Sequence, residues 1–91
     1  MKSPKYLAWV REQDCLMTGA PADDPHHITG VGNFSGMGMK PPDYLCMPLC
    51  REAHSLIHND PAMWPAQWEF IVRTLDKAFR DGVIVFSEDY R

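Results

Sequence analysis

The sequence predicts a single small α+β domain of 91 residues, built from two short extended segments and three helices, the last the longest. Two stretches repeat apolar residues at helical spacing, Tyr6, Leu7, Trp9 and Val10 near the start and Trp68, Ile71, Leu75 and Phe79 near the end. Two short runs with extended character, near Pro25 to Thr29 and Tyr44 to Met47, flank residues 30–42, where four glycines and two prolines rule out a regular element. A third helix is expected directly after the second run, over residues 49–58.

Each element has its own boundary signals. Ser3-Pro4 is a helix start, with Ser as N-cap and Pro at the first helical position, whose missing N–H costs nothing there. Thr18-Gly19-Ala20-Pro21 reads as a turn. Pro48 stands at the mouth of the histidine-bearing helix, and Asn59-Asp60-Pro61 ends it, with Asp60 able to cap the next helix. The C-terminal helix is expected over residues 65–81, its stripe facing the core and Gly82 standing where a C-terminal cap belongs. The closing VIVF-SEDYR is expected to be a small edge strand or a docked tail.

The composition, 45% hydrophobic and 23% charged, is that of an ordinary globular chain. No apolar run approaches the roughly 20 residues needed to span a bilayer. MKSPKYLAWVREQ lacks the apolar stretch and cleavage site of a signal peptide, so a cytoplasmic location is expected. Three cysteines, Cys15, Cys46 and Cys50, do not make an even disulfide framework. A net charge of −3 argues against strong unaided binding to nucleic acid.

The placement of the four histidines is the main functional signal. His26 and His27 are adjacent, and His54 and His58 lie one helical turn apart, which puts them on one helix face. Imidazole is the commonest protein ligand for zinc-like metals. Three of the four can surround one divalent ion while the fourth stands beside it to move a proton, the outline of a hydrolytic site. Taken separately, His54 and His58 read more readily as surface histidines, and His26-His27 as a polar turn. The joint pattern is what favours a metal site. Neighbours in an extended segment point to opposite sides, so His26 and His27 are free to have different jobs.

An extended His-His segment, a loop, a second short strand and a His-x-x-x-His helix resemble, in that order, the ββα-metal (treble-clef-like) core of HNH nucleases. The resemblance covers residues 15–59, about half the chain. The histidine pairs are similar to those of colicin-type DNases, and DDPHHITG, GMGMKPPD and MPLCREAHSLIH resemble small phage-encoded HNH proteins of the Ref, RecA-dependent type. It implies a metal-dependent endonuclease cutting DNA with little sequence specificity, in phage recombination or DNA processing inside a bacterial host cell. His26, His54 and His58 become the metal ligands and His27 the general base. A neutral imidazole takes a proton from water at physiological pH, and the metal acts as Lewis acid on the scissile phosphate. Zn²⁺ and Ni²⁺ suit three histidines by affinity, while Mg²⁺ or Mn²⁺ suit turnover.

The departures from that pattern carry expectations too. Many HNH domains hold a structural zinc with two C-x-x-C pairs; here these read Cys15-Leu16-Met17-Thr18 and Cys50-Arg51-Glu52-Ala53. With one donor missing from each half, a structural zinc is not expected unless Cys46 lies close enough to help. Cys15 and Cys50 are expected to face each other as small buried residues. Asp43 lies nearest to the position of the family's middle asparagine and either orients His27 or merely caps a turn. Lys40 and Arg51 are the candidate phosphate contacts, against a reading as solvated charge. Gly36 and Gly38 lie in a loop able to approach a ligand closely. The Ref-type proteins carry a basic extension where this sequence has Met1-Lys2-Ser3. The expected partners are therefore DNA and a RecA-type filament or other recombination protein that supplies it, with no membrane. The competing expectation is a non-catalytic, metal-stabilised module docking on a recombination or replication complex.

Overall fold

In the computed structural model, residues 2–32 and 40–88 are described. The elements run α1 (Pro4–Arg11), β1 (Asp24–His27), β2 (Cys46–Leu49), α2 (Arg51–Asn59), a 3-10 segment (Pro61–Ala66) and α3 (Gln67–Arg80). The fold is α+β, with helices around a two-stranded antiparallel sheet. No helix among the described residues is long and apolar enough to cross a membrane. Gly36 and Gly38 lie outside the described residues.

Ser3 opens α1 by accepting a hydrogen bond from the Tyr6 N–H at 3.3 Å, and Pro4 occupies the first turn. The chain then turns through Gly19 at φ 78°, and an isolated bridge pairs Asp14 with Pro21. In the sheet, His26 lies opposite Met47 and His27 opposite Cys46. Directly opposed residues share a face. Met47 and Leu49 enter a core cluster with Cys15, Ile28, Ala53, Ile57 and Ile71, beneath α2 and α3. Cys46 enters a second cluster with Tyr6, Val10 and Ala78, beneath α1. The ribbon therefore carries His26 on the α2/α3 side and His27 on the α1 side. This explains why β2 is buried along its whole length.

Several boundaries differ from the sequence expectation, beginning with the first strand, which is Asp24–His27 rather than residues 25–29. The second strand is Cys46–Leu49 rather than residues 44–47, and Pro48 lies inside it opposite Pro25. Each strand thus carries a proline at a paired position, which a two-stranded ribbon tolerates because every strand is an edge. The histidine helix accordingly starts at Arg51. The C-terminal helix starts at Gln67, after the 3-10 segment that Asp60 caps through the Ala62 N–H at 3.1 Å.

The buried face of α3 is also rotated from the expected stripe. Gln67, Ile71, Thr74 and Ala78 are buried, Leu75 is half-buried, and Trp68 and Phe79 are 38% and 40% exposed. The physical reason is Gln67. Its amide is committed to a buried polar network, and small Ala78 lets the helix approach Tyr6 and Cys46. Among the described residues after Gly82 (φ 75°), 83–88, there is no strand; the Val83 N–H bonds to the Ala78 carbonyl at 2.9 Å and Ile84 packs on the second cluster.

Candidate metal and proton-transfer site

His26 is 3% exposed and meets two helices at once. Its ring lies edge-on to that of His54, with centres 4.4 Å apart and planes at 82°. On its other side Nε2–H donates to Gln67 Oε1 at 3.3 Å, which leaves Nδ1 as the nitrogen with a lone pair. Burial, then the neighbouring His54, pull its pKa down to about 4, with smaller contributions from His58 and His27 partly opposed by the Gln67 hydrogen bond. The imidazole is neutral at pH 7, the form a metal needs.

Gln67 gave no signal in the sequence. It is fully buried, and its Nε2 donates to the carbonyls of Thr29 at 2.7 Å and Trp64 at 3.0 Å. Its Oε1 also accepts the Thr29 N–H at 3.0 Å. One side chain thus ties the end of β1 to the start of α3 and sets the orientation of His26. A buried glutamine, as in Pro65-Ala66-Gln67, cannot be told from a surface one before the tertiary fold is known.

His54 and His58 share a face of α2, with ring centres 6.2 Å apart; His54 is half-buried and His58 exposed. Two imidazoles on one tetrahedral ion, with metal–nitrogen bonds of about 2.0–2.1 Å, place their ring centres about 5 Å apart. The observed separations of 4.4 and 6.2 Å fall on either side of that value. Even so, among the described residues no group of three or more His, Cys, Asp or Glu side chains is arranged to hold a metal ion. His26 and His54 are in contact, and His58 stands a step wider.

His27 is different in every respect. Its side chain is 33% exposed, and Nε2–H donates to Asp43 Oδ1 at 2.9 Å. The other carboxylate oxygen accepts the Ser3 N–H at 2.6 Å. The Ser3 and His27 donors hold the Asp43 carboxyl below its ordinary range against the opposing effect of burial. Because a carboxylate only accepts, the pair fixes the His27 tautomer: Nε2 carries the proton and Nδ1 offers a lone pair.

His27 and Asp43 line a cleft of about 670 Å³ together with Lys2, Pro4, Leu7, Arg11, Lys40 and Pro41. Lys40 therefore shares a cleft with His27. Arg51 is not part of the cleft lining; it opens α2, where its N–H bonds to Asp23 Oδ2 at 2.7 Å. Lys2 and Arg11, which the sequence did not single out, join the cleft because α1 docks across β1 and β2.

The cysteines divide between the two clusters. Cys15, Cys50 and Ala53 share the first core, with Thr18 Oγ1 3.5 Å from Cys50 Sγ. Burial raises the Cys15 pKa, but hydrogen bonds from the Thr18 hydroxyl and from the N–H groups of Cys50, Met17 and Thr18 outweigh it and bring the thiol down to about 7. Cys46 packs beneath α1 with Tyr6, on the opposite side of the ribbon, so it is not a fourth donor for this pair. Burial, then the nearby Asp43 charge, push its thiol up to about 12.

A small α+β domain with a buried histidine against a histidine helix, and an Asp-linked histidine on a basic cleft, is the class that fold and site define. The chain belongs to the family described as "Protein of unknown function (DUF968)", whose model matches residues 1–82. It is similar to the "Uncharacterized protein YdfU" of Escherichia coli (strain K12), at 43% identity over 84 residues, which cover 88% of this chain and 24% of that protein. The chain thus spans about a quarter of the length of that relative. No solved structure matches.

Proposed function

We propose that this domain is a metal-dependent endonuclease of the HNH (ββα-metal) kind, hydrolysing phosphodiester bonds in DNA with little sequence specificity. The observation that carries the reading is the division of labour on β1. His26 is buried against His54 and Gln67, while its neighbour His27 is held by Asp43 in the lining of a cleft that also carries Lys2, Arg11 and Lys40. A purely structural metal site has no need for an oriented, solvent-accessible imidazole beside its ligands.

In this reading β1, the loop, β2 and α2 form the ββα-metal core, and His26, His54 and His58 hold one divalent cation. When bound, that cation supplies Lewis acidity at the scissile phosphate and stabilises the departing 3′-oxygen. His27 Nδ1 accepts the proton of the attacking water. Asp43 keeps the proton on Nε2 and stabilises the imidazolium formed. Lys40 neutralises the phosphate next to His27.

The test is plasmid nicking by purified protein in Mg²⁺, Mn²⁺, Zn²⁺ or EDTA, wild type beside His27→Ala. Metal-dependent nicking that disappears in the variant, with metal affinity retained, supports the assignment. Nicking that survives removes His27 as the base.

One observation favours a second reading, a non-catalytic metal-stabilised module. His26 and His54 belong to the packing between β1, α2 and α3, so a cation there would tie together elements of a small core. That reading expects EDTA to unfold the domain and no divalent metal to support nicking, even on DNA coated with a recombination protein.

A further inference from the structure

The protein is acidic overall, yet the His27 cleft is bordered by three cations, Lys2, Arg11 and Lys40, and one carboxylate, Asp43. That carboxylate is already engaged by His27 and by the Ser3 N–H. Lys2, Arg11 and Lys40 are exposed, and none forms an ion pair with a carboxylate among the described residues. The local field is therefore opposite in sign to the net charge, and low-dielectric walls concentrate it.

We propose that α1 is the second wall of a groove for a phosphodiester strand, with Arg11 and Lys2 holding phosphates on either side of the one presented to His27. The inference rests on the reading of His27 as proton acceptor at a scissile phosphate. Pro4, Leu7 and Arg11 are spaced by three and four residues, so one face of α1 lines the cleft. At 1.5 Å per residue that face is about 10 Å long. One strand of nucleic acid carries a phosphate about every 3.4 Å along a duplex axis, so the face spans about three phosphates. Leu7, Pro4 and Pro41 offer apolar surface for sugar rings between the phosphate contacts. The bond from Ser3 N–H to Asp43 makes the groove and the proton acceptor one unit, because the same carboxylate anchors the start of α1 and orients His27.

Binding is read separately from cleavage by fluorescence anisotropy of a labelled 12-nucleotide single strand and of its duplex, in EDTA, from low to moderate salt. Arg11→Ala and Lys2→Ala should each weaken binding about three- to tenfold and reduce the salt slope by about one. Arg11→Lys should keep the slope. Lys5→Ala is the control, since Lys5 lies on α1 but lines a separate groove with Tyr6, Tyr44 and Phe79; it should bind as wild type. Circular dichroism reports whether α1 survives each change. Equal loss in Lys5→Ala, no loss in Arg11→Ala and Lys2→Ala, or no binding by the wild type at low salt overturns the groove. Binding that matches the expected pattern without nicking under any metal keeps the groove and sinks the nuclease reading.

Discussion

Asp43 Oδ1 lies 2.9 Å from His27 Nε2, and this contact joins two parts of the sequence that are 16 residues apart. It gives a half-buried histidine a defined tautomer. In the proposed hydrolysis, His27→Ala should lower the cleavage rate about 10²- to 10⁴-fold, the range of a lost general base. Asp43→Asn should also cost at least about tenfold, since an amide does not stabilise an imidazolium as a carboxylate does. Single-turnover cleavage of a labelled duplex measures both, and an unimpaired Asp43→Asn enzyme rules out the orienting role.

The Asp43 carboxyl is held below its ordinary range, chiefly by the Ser3 N–H and then by His27. A carboxyl with a depressed folded-state pKa stabilises the fold above its unfolded value, and that stability is lost as pH falls through the folded value. Asp43→Asn should therefore be less stable than wild type at pH 7, by about 1–2 kcal/mol. The gap should close in acid, as pH falls through the depressed folded-state value and the wild-type carboxyl becomes protonated in both states. Urea denaturation at pH 7 and in acid checks the sign.

Gln67 satisfies both the N–H and the carbonyl of Thr29, and the carbonyl of Trp64, inside the core. Gln67→Leu should destabilise the domain by about 2–4 kcal/mol, because buried backbone groups lose their partners. Gln67→Glu retains the acceptor but loses both donors, so it should not restore stability. In the proposed metal site, Gln67→Leu should weaken divalent-metal affinity about 10–100-fold by releasing His26, whereas Gln67→Glu, which keeps the acceptor for Nε2–H, should not. Chemical denaturation and metal titration measure the two effects separately.

Gly30 adopts φ 73°, and a Cβ there would overlap the Trp64 indole, whose Nε1–H donates to the Ile57 carbonyl at 2.9 Å. Gly30→Ala combines backbone strain with this clash and should cost about 2 kcal/mol or more. Gly19, at φ 78° with open space around it, separates the two causes: Gly19→Ala carries the strain alone. A similar loss in both variants would falsify the packing role of Trp64.

Titration with Co²⁺ or Zn²⁺ tests the proposed ligand set. His26→Ala, His54→Ala and His58→Ala should each lower affinity, while His27→Ala should leave it near wild type. Chelation should lower the melting temperature of the wild type, because a ligand that binds only the folded state stabilises it by mass action. Tight binding retained in His58→Ala removes that residue from the set.

The local elements were legible because their causes are local. Ser3 and Pro4 start α1, Asp60 caps the 3-10 segment, and alternation along β1 separates His26 from His27. The turn spacing of His54 and His58 likewise comes from helix geometry alone. What went unread depended on partners distant in sequence. Trp68 and Phe79 looked like core residues by period, yet α3 is rotated so that Gln67 and Ala78 face inward. Hydrophobic periodicity does not register a buried amide with four satisfied bonds. Pro48 looked like a helix entry because its pairing with Pro25 involves a strand 23 residues earlier.

For the site, the sequence by itself determined the chemical inventory: four histidines, their spacing, and the opposite directions of His26 and His27. Only the tertiary structure decided which cations share the cleft, bringing Arg11 and Lys2 to His27 and leaving Arg51 out of its lining. It also set Gln67 against His26, Asp43 between Ser3 and His27, and Cys46 on the far side of the ribbon from Cys15 and Cys50. The physical reason is the range of the forces. Backbone sterics and capping act over a few residues, whereas packing and buried hydrogen bonding join whatever the folded chain brings within a few ångströms.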